Sequence, residues 1–449
     1  MTIPLVEYFR CVDTLAALEV QEGLSPAPGY FAFGGIVCFG RLATGQPSGQ
    51  AGPCLEDAMG KVDCGADGVR LPFDLSDVVT NLRREQYTLN GYGVLERLMA
   101  ASPAERIYYL LRPALNVGIR KHLQRLRLRG WERLAFPKWP LDVSVDALLR
   151  TTLGLVMKAS GVDRVPFVWF WPDGATSALM MTHDVEGAAG RAFCGRVMDV
   201  DDEYGIKSAF QLVPQGQEQT WRTMAAQMRR RGFEVNLHDL NHDGRLFDDL
   251  PLFRERAKQI NRYTQEFGCQ GFRSGAMYRE QQWYDAFEFS YDMSVPNVAH
   301  LEPQRGGCCT VMPYFVGNVL ELPLTTVQDY SVFHILGDYS IGLWKQQVSA
   351  IRNVNGLITF LAHPDYLAEP KAFNVYVELL EYLRAIRAND NLWVALPADV
   401  DRWWRNRQQM KLVQHGASWR IEGPDADRAR LAYAIVEGKK VRYEVVTAA

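Results

Sequence analysis

From about Val165 onward, short apolar runs alternate with stretches whose apolar residues recur every three or four positions. The short runs read as strands: Ala178 to Thr182, Lys207 to Val213, Phe233 to Leu237, Gly271 to Arg273, Met293, Val319 to Pro323, Leu357 to Ala362 and Leu392 to Leu396. Glu218 to Arg231, Leu252 to Phe267, Leu343 to Arg352 and Tyr376 to Arg387 carry the helical period. Strands separated by helices require crossover connections, so the pattern predicts repeated βα units in a parallel sheet or barrel. Chemistry in such barrels collects at the C-terminal ends of the strands.

The flanks read differently. Residues 1–164 form an N-terminal accessory region, Gly-rich and irregular from Gly29 to Gly68 and mainly helical afterwards. Ser102-Pro103-Ala104-Glu105 places a cap, an N1 proline and an N3 carboxylate where a helix start wants them. Residues 165–410 carry the βα pattern. In residues 411–449, Ala417 to Ile421, Leu431 to Val436 and Val441 to Val446 are separated by turn signals and predict a small β-meander.

Composition narrows the classes. With 449 residues, 47% hydrophobic and 22% charged, the chain has ample material for a large globular core. A net charge of −3 supplies no global field for nucleic acid or an anionic membrane. The local exception is Arg112 to Lys138, where eight Lys/Arg face Glu132 alone, a solvated basic face or a surface for an acidic glycan or lipid headgroup. No apolar run approaches a membrane span, and Glu7, Arg10 and Asp13 interrupt the window a signal peptide would need, so a cytoplasmic location is expected. Eight cysteines without a C-x-x-C spacing fit reduced thiols, with Cys308-Cys309 a packing pair.

Four clusters bear chemistry, each at the end of an expected strand. In Thr182-His183-Asp184-Val185-Glu186, strand alternation sends Asp184 and Glu186 to one face. Paired carboxylates there serve a cation or an acid/base task, or are simply a solvated loop pair. His238 and His242 form an H-x3-H pair which, on the first turn of a helix, would share one face within reach of a divalent ion; the plain alternative is two unrelated surface histidines. Arg273, followed by Ser274-Gly275, could hold a carboxylate such as Asp184 ionised, or lie on the surface. His363, ending the most hydrophobic strand, is a structural histidine or a proton donor. Trp131, Phe136 and Trp139 are core residues or sugar-stacking platforms.

Taken in order, these clusters, with Ile206 to Pro214 and Tyr291-Asp-Met-Ser294-Val-Pro-Asn297, resemble the polysaccharide deacetylase family, the NodB-homology domains of carbohydrate esterase family 4. The resemblance spans about residues 165 to 405. It implies a distorted (β/α)7 barrel and metal-dependent removal of N-acetyl, or sometimes O-acetyl, groups from a sugar or glycoconjugate. It also implies Asp184 as general base, Glu186, His238 and His242 as ligands of a divalent ion (Zn first, with Co, Ni or Mn also suited), Arg273 as the tether of Asp184 and His363 as general acid. Tyr278 would serve the oxyanion. The chain departs from the pattern where many members carry adjacent aspartates, so the acidic ligand is Glu186 or Asp184. Asp239 stands where Ser or Thr is common, and Gly275 where proline is usual. Two other readings are a metal-free, allantoinase-like hydrolase of C–N bonds in small amides and a non-catalytic carbohydrate-binding protein.

Overall fold

The computed structural model describes residues 4–12, 15, 17–65, 68–88, 128, 130–416, 418–438 and 440–446 of the chain. The helix start at Ser102 and most of the basic run from Arg112 lie outside them. The N-terminal region contributes β1 (Ala17–Val20), β2 (Gly29–Phe33), β3 (Ile36–Gly40), β4 (Asp63–Gly65) and β5 (Gly68–Leu71), as a β2–β3 hairpin and a β1–β5–β4 sheet. After β6 (Arg164–Val168) come β7 (Ser177–Val185), β8 (Ala209–Leu212), β9 (Glu234–His238), β10 (Gly271–Arg273), β11 (Tyr291–Asp292), β12 (Tyr314–Val316), β13 (Val319–Glu321), β14 (Leu357–Leu361) and β15 (Leu392–Val394). These nine form one sheet in the order β12-β13-β11-β10-β9-β8-β7-β14, with β15 paired to β7. Only β12 runs antiparallel, so β13, β11, β10, β9, β8, β7 and β14 are the seven-stranded parallel body of the expected distorted barrel.

The segment that follows β13 is joined to β14, chiefly through two threonine hydroxyls. Thr325 Oγ1 accepts from Thr359 N at 2.9 Å and donates to Leu357 O at 2.8 Å, while Thr326 Oγ1 donates to Thr359 O at 2.8 Å. Threonine hydroxyls thus satisfy backbone groups that a strand ladder would otherwise have to pair.

The helices follow from amphipathic sequence. Glu218–Arg230 buries Trp221, Ala225 and Met228 at helical spacing, and Leu250–Phe267 starts on an Asp249 cap and ends at Gly268 in the left-handed conformation. One apolar core lies between the parallel strands and these helices; a second runs from the barrel interior, through Met180, Met293 and Leu320, into the N-terminal region. That region is stitched to the barrel by buried polar bonds. Asp146, on the helix Ser144–Ala159, accepts from Tyr8 Oη, Thr310 Oγ1 and Val311 N at 2.8–3.0 Å. Asn297 exchanges bonds with Asp142 N and O at 2.8 and 2.7 Å.

At the C-terminus, β16 (Lys411–His415) pairs β17 (Ser418–Glu422), and β18 (Leu431–Glu437) pairs both β19 (Lys440–Val445) and β6. The expected extension is therefore two hairpins, the second completing a three-stranded sheet that begins before the barrel. No helix among the described residues is long and apolar enough to cross a membrane.

Candidate metal centre and acid–base pair

Asp184 and Glu186 leave β7 on the inner face, whereas His183 turns outward and is held by Ala362 O at 2.9 Å and Asp201 at 3.3 Å. The alternation of the strand makes this division. Asp184 and Arg273 are both buried, and Arg273 Nη1 donates to Asp184 Oδ1 and Thr182 Oγ1, each at 2.9 Å, while its Nε donates to Met293 O at 2.8 Å. Burial alone would raise the Asp184 carboxyl, but Arg273, then His238 and His363, hold it below the ordinary carboxylate range. Asp184 Oδ2 remains, 3.7 Å from His238 Nε2.

Glu186 lies among three imidazoles. Its Oε1 is 3.0 Å from His242 Nε2 and 3.9 Å from the Nε2 atoms of both His238 and His363. Burial opposes its charge, yet His242, His238 and His363 hold it well below the usual range. Glu186, His238 and His242 converge as a donor set, with ligand atoms within 4.8 Å of one another. His238 Nδ1 bonds Arg273 O at 3.1 Å, which fixes the Nδ1–H tautomer and leaves the buried Nε2 facing the carboxylates without a hydrogen-bond partner. An outward-bonded imidazole with an inward lone pair fits a divalent ion. The side chains of Glu186 and His242 keep 28% and 14% exposure, so the set is reachable from outside.

The expected helical turn for the H-x3-H pair is absent. His238 ends β9 and His242 follows in a loop of bends, with Asp239 and His242 both at positive φ, 55° and 59°. A helix would need continuous αR backbone; here two left-handed residues fold the loop back so that the imidazole centroids lie 4.8 Å apart. Gly275 explains how the loop fits: a Cβ there would stand 2.5 Å from Asp239 Oδ2 and 3.2 Å from His242 Cδ2. The two departures from the family pattern, Asp239 and Gly275, thus occupy one another's space.

His363 follows β14 and caps the short helix Pro364–Leu367. Asp329, which sequence reasoning missed, accepts from His363 N and from His363 Nδ1, each at 2.7 Å. Burial would lower the imidazole pKa, but Asp329, with Glu186 and Asp184, pushes it up to about 10. Nothing in Val327-Gln328-Asp329-Tyr330 marked it, because the pairing spans 34 residues. Asp365, also missed, accepts from Glu186 N, Gly187 N and Gly190 N at 3.0–3.3 Å. It thereby fixes the backbone of Glu186 at the start of the helix Ala188–Glu203, and a Cβ on Gly190 would sit 2.0 Å from its carboxylate.

The remaining candidates make other contacts. Phe136 is buried between Tyr30 and Tyr87, while Trp131 and Trp139 are half-buried, edge to face at 4.7 Å and beside His300. The Tyr278 N–H closes a turn on Gly275 O at 3.3 Å. Cys308 and Cys309 are buried, with thiols pushed up by burial, and all eight cysteines are unbridged.

No family model matches the sequence, and no curated protein matches it. Among solved structures the chain is similar to a Mycobacterium smegmatis protein assigned as a polysaccharide deacetylase, at 19% identity and TM-score 0.44, over 53% of this chain and 93% of that one. It is similar to the allantoinase Puue at 14% and 0.40, over 52% and 92%, and to the peptidoglycan deacetylase PdaC of Bacillus subtilis at 15% and 0.33, over 52% and 93%. At these identities and scores they are likenesses only, and the chemistry of the site stands on its own residues.

Proposed function

We propose that this protein is a metal-dependent hydrolase that removes acetyl groups, N-acetyl foremost, from a sugar or glycoconjugate. One observation carries the reading: Glu186 Oε1 lies within 3.9 Å of the Nε2 atoms of His238, His242 and His363, beside an Asp184 tied to a buried Arg273. Glu186, His238 and His242 would hold the ion, and zinc, cobalt, nickel or manganese suits two imidazoles and a carboxylate. A bound divalent ion supplies Lewis acidity, polarising an acyl carbonyl and making water easier to deprotonate.

The protein's own groups divide the proton work. Asp184 has one oxygen committed to Arg273 and turns the other toward the donor set, where it takes a proton from the attacking water. Arg273 keeps that carboxylate ionised and aimed. His363, held on Asp329 through Nδ1, presents Nε2 to the same space and protonates the departing amine. Asp184 rather than Glu186 serves as base because Arg273 already claims part of its coordinating capacity.

The test is elemental analysis of the purified protein beside His238→Ala, each assayed for acetate release from acetylated amino sugars. About one ion per chain, lost in the variant together with activity, is the expected result. Absence of bound metal after divalent-ion addition would sink the ligand set. C–N hydrolysis persisting without metal would point to the allantoinase-like reaction, and sugar binding without turnover to a non-catalytic role.

A further inference from the structure

We propose that Glu302 is a positioning residue for the acid side of the site, clamping Gln328 and Ser331 on either side of Asp329 and so fixing the carboxylate that His363 bonds. The inference rests on the reading of His363 as the proton donor.

Asp329 belongs to no strand. It precedes a π-helical turn, Ser331–Leu336, in which Ser331 N and Val332 N both donate to Gln328 O at 3.1 Å. Glu302, buried at 4% exposure, fastens this turn from outside: Gln328 Nε2 donates to its Oε2 at 2.5 Å, and Ser331 Oγ lies 3.4 Å from its Oε1. The two anchored side chains bracket Asp329, whose oxygens take His363 N, His363 Nδ1 and Tyr330 N at 2.7 Å each. A shift of the turn therefore moves the imidazole. Displacements of about 1 Å at a catalytic group are enough for about a hundredfold loss of rate.

What holds Glu302 is the N-terminal region. The segment carrying it is pinned before Glu302 by the Asn297–Asp142 exchange. After Glu302, Gly307 N donates to Glu85 Oε1 at 2.5 Å and Tyr87 Oη donates to Gly307 O at 2.6 Å. Glu85 also forms a buried two-pronged pair with Arg279, on the loop that follows Arg273. Gln304 bonds both Arg279 N and Arg279 O at 2.9 Å. The accessory region therefore braces the acid half of the site through one carboxylate, in addition to packing against the barrel.

The experiment uses the full chain as wild type, Glu302→Leu and Glu302→Gln. Proton NMR reads the strongly downfield Nδ1–H of the His363–Asp329 bond, assigned by its loss in His363→Asn, and acetate release gives kcat and KM. In Glu302→Leu the buried Gln328 amide loses its acceptor. The resonance should vanish or move and kcat fall about ten- to a hundredfold at unchanged KM. Glu302→Gln keeps an acceptor oxygen and should restore both. If Glu302→Leu does not fold, Gln328→Met removes the same contact from the other partner and should give the same loss. A wild-type resonance and kcat in the folded Leu or Met variant overturns the proposal. An NMR response as expected in a protein that releases no acetate keeps the positioning role and rejects the hydrolase reading.

Discussion

His238 and His363 sit at the ends of two strands of one barrel, yet their Nδ1 atoms meet opposite kinds of partner, and the roles proposed for them differ accordingly. His238 gives its Nδ1 to a backbone carbonyl, which places a hydrogen on that nitrogen and turns Nε2 inward toward the carboxylates. His363 gives its Nδ1 to Asp329, which favours the imidazolium and pushes its pKa up to about 10. A protonated imidazole cannot ligate a metal, and a ring whose lone pair is committed to a cation cannot donate a proton. In the proposed scheme the partner of Nδ1, more than the histidine itself, separates ligand from acid.

The contrast can be broken from the ligand side with the largest effect. Glu186→Ala should abolish stoichiometric metal and reduce acetate release on the order of a thousandfold or more, checked by elemental analysis beside kinetics. Metal retained at wild-type content would move the acidic ligand to Asp184.

Breaking it from the acid side should cost less and leave the metal in place. Asp329→Asn removes the anion that favours the imidazolium, so kcat should fall on the order of a hundredfold. The sign in pH follows: the folded pKa of His363 is raised, its acid form persists into alkaline solution, and the variant should lose activity at lower pH than wild type does. A pH–rate profile with an unmoved alkaline limb would remove His363 from the proton path.

Arg273→Lys sharpens the comparison at the base. Lysine keeps the charge but not the fork that joins Asp184, Thr182 and Met293 O, and roughly a tenfold fall in kcat/KM with metal content retained is expected. The smallest effect belongs to the loop of His242. Gly275→Ala should destabilise by about 1–3 kcal/mol in thermal or denaturant unfolding, because its Cβ meets Asp239. Adding Asp239→Ser should recover part of that, whereas strictly additive costs would show that the two positions do not share space.

The barrel was legible because its signals are local. Apolar runs such as Leu357 to Leu361 declare buried strands, and the strand period alone separates Asp184 and Glu186 from His183. The H-x3-H spacing offered two imidazoles on one helical face beside the alternative of two unrelated histidines, and the structure brings them together through a loop with two left-handed residues instead. Asp329 and Glu302 carried no signal, as each acts on a partner tens of residues away, and the same holds for Glu85, whose partner Arg279 is 194 positions distant.

By itself, then, the sequence determined the parallel βα architecture, the strands that end in chemistry and the residue types available for metal, base and acid. Those are properties of periodicity and spacing, which the chain carries in any conformation. Tertiary structure alone decided which nitrogen of each histidine is committed, that Arg273 reaches Asp184, and that the N-terminal region braces the turn of Asp329. Such outcomes depend on hydrogen bonds between distant segments, whose geometry exists only once the strands have assembled.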